Sequence, residues 1–354
     1  MHVRLISLAL LVVTGGAWAP DVTLSRPGSS PRHGVTLDKD KTRIEAATRL
    51  FEFHSSFWLN LHHFLYQQAL VRSGNTRAAR TGGEAVFKEP QLPEADLAWS
   101  AAVDYYGASL INRDLLFDQG MVDTNARLSQ VGEVSNPSVS GLDPTLLSKL
   151  RGAAPVYRSH WWSQHDLTNR AWVASVSPLL KQMGDEISAR LMSLYGAKWP
   201  EASVRVEMVS YANWAGAYTS DHPLLITLAS DDKPDRKYEG LETLFHEASH
   251  AFDPLQEEKI ANECRAQKRR PPRNLWHAMI FYTTGEVVKK ALAEHHLGSY
   301  IPYAYHYGIY DRGWKDYLKA LEADWQPYLD GKTDFDHALS SLVADVALEA
   351  SKQH

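Results

Sequence analysis

Leu241-Glu242-Thr243-Leu244-Phe245-His246-Glu247-Ala248-Ser249-His250-Ala251-Phe252-Asp253 carries more chemistry than any other stretch of the chain. Leu241, Leu244, Phe245, Ala248 and Ala251-Phe252 recur at three- and four-residue spacing, and no Gly or Pro intervenes before Pro254. That pattern predicts a helix with one buried face, stopped by the proline. On a helix, residues i and i+4 share a face, so His246 and His250 can reach one metal ion. Glu247 leans beside that ion, where it can take a proton from a water the metal polarises.

Upstream the hydrophobic period changes. Val204, Val206 and Met208 alternate with Arg205, Glu207 and Val209, which is strand spacing, and Ala215–Thr219 and Leu224–Ser230 are two further short strands. Residues 231–240 read as a polar turn region. Before the strands the pattern is helical: Leu50, Phe53, Phe57, Leu61 and Phe64 place a helix over 41–73, and others follow at 95–130, 143–152 and 167–196. Helix resumes at Leu241 and continues to the C-terminus. The strands form one group instead of alternating with helices, so a doubly wound sheet is not expected. The reading is a mostly helical α+β fold with a small sheet preceding the H-E-x-x-H helix. It divides into an N-terminal helical region (41–200), the sheet with the active helix (201–255) and a C-terminal helical region (256–354).

The chain has 354 residues, 44% of them hydrophobic and 22% charged, an ordinary balance for a globular protein with a sizeable core. With 37 basic and 42 acidic residues the net charge is −5, which argues against a nucleic-acid partner. Sixteen His stand against one Cys, so a metal site must draw on imidazoles and carboxylates.

Residues 1–19, MHVRLISLALLVVTGGAWA, read as a signal peptide: Arg4 supplies the positive end, Leu5 to Val13 the apolar run, and Ala17-Trp18-Ala19 a small-x-small cleavage pattern. Residues 20–40 are rich in Pro, Ser, Gly and Asp and read as a linker. No later run reaches the roughly 18 apolar residues a membrane span needs. Cys264, far from the N-terminus, offers no lipid anchor. The mature protein is therefore expected outside the cell or in a periplasm, with no membrane anchor after signal removal.

Catalytic zinc usually has three protein ligands. The tight H-E-x-x-H-x-x-G-x-x-H spacing is absent, since Asp253 and Gln256 stand at its last Gly and His positions. The third ligand expected from the sequence is Glu286, on the helix-like run Leu275–Leu292.

On these residues the chain resembles gluzincin-type zinc metallopeptidases, the clan of thermolysin-like and aminopeptidase-N-like enzymes. The resemblance covers residues 204–292. It implies a zincin-like fold, one Zn²⁺ per chain on His246, His250 and Glu286, Glu247 as general base, and a peptide or protein substrate. It further implies an edge strand pairing with substrate backbone, which falls on Gly216, Ala217 and Tyr218. The acidic residue that follows the Glu ligand by four in thermolysin-like enzymes is Lys290 here, so Asp253 or Glu242 is expected to orient a ligand His instead. An oxyanion donor is expected from Tyr303, His306 or Tyr310.

Two aromatic segments hold further histidines: His54, His62 and His63, then His160 and His165. Their spacing defines no metal site, and they read as core or cleft-wall residues. Two other functions would use the same motif: a zinc hydrolase of a non-peptide amide or ester, and an inactive zincin-like binding module. The intact Glu247 argues against the second.

Overall fold

Phe51 and Phe53, read from the sequence as part of a helix, lie on a strand. In the computed structural model, which describes residues 42–44, 48–75, 97–199, 203–221, 223–230 and 237–352, the sheet has five strands. They are β1 (Arg43–Ile44), β2 (Phe51–His54), β3 (Val204–Val209), β4 (Ala217–Asp221) and β5 (Leu224–Ala229). Their order is β1-β2-β3-β5-β4. β2 and β5 run parallel to β3, while β1 and β4 are antiparallel to their neighbours. The signal-peptide and linker readings fall outside the described residues.

The first two strands correct the expected order of helices, then sheet, then helices. The spacing of Phe53, Phe57 and Leu61 is helical, but Ser55-Ser56 divides it. The Ser56 backbone is extended, and the helix begins after it. Before that point Phe51 and Phe53 are buried on β2, which is hydrogen-bonded to β3. β2 and β3 are joined by a long helical crossover: α1 (Phe57–Arg72), α2 (Leu97–Ser109), α3 (Gln119–Leu128), α4 (Pro144–Tyr157) and α5 (Ser163–Tyr195). A short π-helical segment, Arg158–Trp162, links α4 to α5.

After the sheet come α6 (Lys237–Ser249), α7 (Asp253–Ala266), α8 (Leu275–Glu294), α9 (Tyr303–His306), α10 (Lys315–Ala320), α11 (Gln326–Leu329) and α12 (Phe335–Lys352). The fold is thus mostly helical with a small mixed sheet, an α+β arrangement. No helix among the described residues is long and apolar enough to cross a membrane.

The alternation read in β3 has a physical basis. Val204, Val206 and Met208 pack with Met183 and Ile187 of α5, Leu241, Leu244 and Phe245 of α6, and Val288 of α8. Val209, Tyr218 and Ala229 belong instead to a second core with α1 and α4. A third core joins α7, α8 and α12 around Cys264, Met279, Trp325 and Leu342. Burying each of Leu241, Leu244 and Phe245 contributes about 1.5–3 kcal/mol, enough to fix the face α6 presents. Gly240 lets α5 come close: a Cβ there would lie 3.0 Å from the Trp172 ring.

Candidate metal centre

The helix carrying the motif is not a single helix. α6 ends at Ser249, His250–Phe252 form one 3₁₀ turn, and α7 starts at Asp253 with Pro254 in its first turn. Proline lacks the N–H that would continue the α-helical ladder, but its fixed φ suits a first turn, so it opens a new helix. His246 and His250 still face the same way, with ring centroids 5.1 Å apart.

α8 supplies the third histidine. One ring nitrogen from each of His246, His250 and His277 lies within 4.8 Å of the others, and the group could hold a metal ion. His277 Nε2 is 3.4 Å from His246 Nε2. Two nitrogens bound tetrahedrally at a Zn–N distance of roughly 2.0–2.1 Å would be about 3.4 Å apart, so the spacing fits. His246 Nδ1 is buried with no hydrogen-bond partner. His250 is oriented from behind: its Nδ1 is 2.7 Å from Asp253 Oδ2, which leaves Nε2 for the cluster.

Aromatic rings hold the trio in place. Phe281, one helical turn after His277, lies with its ring centroid 4.0 Å from that of His246. Trp276 stacks on His277 at 5.0 Å, and Trp314 meets that ring edge-on at 5.4 Å.

Burial, reinforced by the charges of His250 and His277, drives the pKa of His246 well below its ordinary value. Burial pushes His277 down to about 3. Both are thus neutral rings, the form a metal requires. Burial also works against charge on His250, but the Asp253 hydrogen bond and the charges of Glu247, Asp253 and Asp221 outweigh it and raise the pKa. Asp253 is itself raised to about 6 by burial.

Glu247 is 6% exposed, and burial raises its carboxyl pKa, partly offset by His250 and by a hydrogen bond from Thr219. Thr219 Oγ1 lies 2.7 Å from Glu247 Oε2 and 2.9 Å from the Glu247 main-chain oxygen. Thr219 sits on β4, the edge strand of the described sheet, which is antiparallel to β5. Ala229 N donates to Gly216 O, and antiparallel pairing alternates. The main-chain groups of Ala217, Thr219 and Asp221 therefore turn away from β5.

The other expected site residues are distributed as follows. Glu286 does not join the cluster. It lies nine residues after His277 on α8, a rotation of about 900° that leaves it on the opposite face. Both its oxygens take Lys289 Nζ, at 3.0 and 3.1 Å. Glu242 does not orient a ligand ring: Tyr300 Oη donates to it at 2.7 Å and Tyr303 N at 3.0 Å.

Tyr218 points away from the site, its hydroxyl 2.9 Å from both His63 Nε2 and Asn125 Nδ2. The Ala217 side chain packs in the core with residues of α6, and Gly216 immediately precedes the strand with φ 88°. The Tyr303 ring lies against Tyr307 at 4.5 Å, His306 is exposed beside the same ring, and Tyr310 is buried against Tyr305. Of the remaining histidines, His54 bonds Thr42 and Glu52, His62 bonds Tyr106, and His165 bonds Tyr157.

His277 is the candidate ligand that the sequence reading passes over. Its signal was present: a histidine one turn before Phe281 on an apolar helix downstream of the motif. No known protein family, curated protein or solved structure matches the chain.

Proposed function

We propose that this protein is an exported zinc-dependent hydrolase that cleaves peptide bonds. The observation that carries the reading is the placement of Glu247: a buried carboxylate beside three histidines able to share a metal, held by a hydroxyl of an edge strand. A module that only bound a partner would not need an acid so placed. The edge strand of the described sheet supports a peptide as substrate, because the main-chain groups of Ala217, Thr219 and Asp221 point away from β5, to the side on which an extended chain would add. Export rests on the signal-like segment 1–19.

Zinc held by His246, His250 and His277 would supply a Lewis acid for water and for the scissile carbonyl. Glu247 has Oε2 engaged by Thr219, and Oε1 accepts no hydrogen bond among the described residues. Oε1 is thus the atom that takes the proton of the attacking water and passes it to the leaving amine. Asp253 holds the tautomer of His250 through Nδ1. Trp276 and Phe281 flank the trio as apolar walls.

Purified protein is incubated with a peptide library, alone and as Glu247→Gln. The expected result is cleavage by the wild type and a loss of about 10²–10⁴-fold in the variant. No peptide cleavage, or cleavage that Glu247→Gln leaves intact, overturns the reading.

A further inference from the structure

The strand beside the trio carries a residue that neither the H-E-x-x-H motif nor the ligand set accounts for. Thr219 is 8% exposed. Its one hydroxyl proton lies between two acceptors of the same residue, the Glu247 carboxylate at 2.7 Å and the Glu247 main-chain oxygen at 2.9 Å. A hydroxyl placed this way fixes a rotamer, because rotating the carboxylate away breaks the stronger of the two contacts. It also leaves the other oxygen, Oε1, without a hydrogen bond among the described residues.

The strand that delivers the hydroxyl is itself pinned. Tyr218, the preceding residue, drives its hydroxyl into the opposite core between His63 and Asn125. On the other side of Thr219, Ser220 Oγ donates to the main chain at Pro223 and Leu225. Thr219 therefore cannot shift along the strand without breaking buried bonds on both sides.

We infer that Thr219 is the positioning residue for Glu247, turning the carboxylate so that Oε1 faces the histidine trio. This rests on the hydrolase reading above. The role needs a hydroxyl, not merely a side chain of that size: serine fulfils it, whereas valine fills the same space without a donor.

The test measures kcat and KM on a cleaved peptide, with zinc content, for Thr219→Val, Thr219→Ala and Thr219→Ser beside Glu247→Gln. Misplacing a catalytic group by about 1 Å costs roughly 10²-fold. Thr219→Val and Thr219→Ala are expected to lower kcat about tenfold to a hundredfold, with KM and zinc content near wild type. Thr219→Ser is expected to restore most of the rate.

An unchanged kcat in Thr219→Val, with Glu247→Gln inactive, overturns the inference and leaves the hydrolase reading standing. Equal losses in the Ser and Val variants overturn it as well. So does loss of fold or of zinc in both Val and Ala, since that makes Thr219 a structural residue. Activity surviving in Glu247→Gln removes the hydrolase reading instead.

Discussion

His277 Nε2 lies 3.4 Å from His246 Nε2, across the interface between α8 and α6. Two neutral rings gain at most one hydrogen bond from that approach. A shared metal would satisfy both, and it would place the third ligand at the start of α8 rather than in its middle. His277→Ala should lower metal affinity by more than the roughly 10–100-fold typical of losing a supporting residue. Glu286→Ala should keep full metal content. Elemental analysis of the purified variants decides between the two positions.

Asp253 is placed to act on a bound metal through His250, whose Nδ1 lies 2.7 Å from its Oδ2. Asp253→Asn keeps the shape but weakens the hold on Nδ1, and a drop of about 10–100-fold in metal affinity is expected. Competition with a chromogenic chelator measures it. The effect should vanish in the His250→Ala background, since the carboxylate acts only through that ring.

Glu242 makes folding stability depend on pH. Burial raises its carboxyl pKa from 4.5 to about 7, against the pull of its hydrogen bonds from Tyr300 and Tyr303. Below about pH 4.5 the group is neutral in both states. Between about 4.5 and about 7 the folded state keeps the proton that the unfolded state has lost. Folded-state stability from this group therefore falls as pH rises through that window, by about 3 kcal/mol, and levels off above it. Denaturation of Glu242→Gln across the same range should show the variant gaining on the wild type from acid to neutral pH. A constant difference would contradict the assignment.

Tyr218→Phe removes a hydroxyl bonded to two buried side chains, His63 and Asn125. Leaving such groups unpaired costs about 1–3 kcal/mol. A lowered midpoint in urea, with metal content unchanged, is the expected outcome.

The sequence made the chemistry legible sooner than the sheet. His246, Glu247, His250 and Asp253 could be read from local spacing because a helical turn brings them together. The strands Val204–Val209 and Leu224–Ala229 showed in alternation or apolar runs. β1 and β2 did not, because they are two and four residues long and Phe53 of β2 falls in register with the helix that follows. His277 was hidden for a different reason. Its partnership with His246 arises from how α8 crosses α6, and no periodicity along one chain segment encodes a crossing. Glu286 drew the expectation because a carboxylate on a later helix suits the resemblance, but half a turn of rotation puts it on the wrong face.

The parallel pairing of β2 with β3 sets the order in which the protein can be built. Phe51 pairs with Val204, so the two partners are 204 − 51 = 153 residues apart. Everything emitted before β3 can form helices, yet β2 has only the two-residue β1 to pair with until then. Closing so long a loop is entropically costly, and topologies dominated by distant pairings fold slowly. If the chain is exported from its N-terminus, the sheet can be completed only once Ala229 has passed and the histidine trio only once His277 has. His246, His250 and His277 all follow β3, so an imported ion would find its ligands assembled only after the sheet had closed.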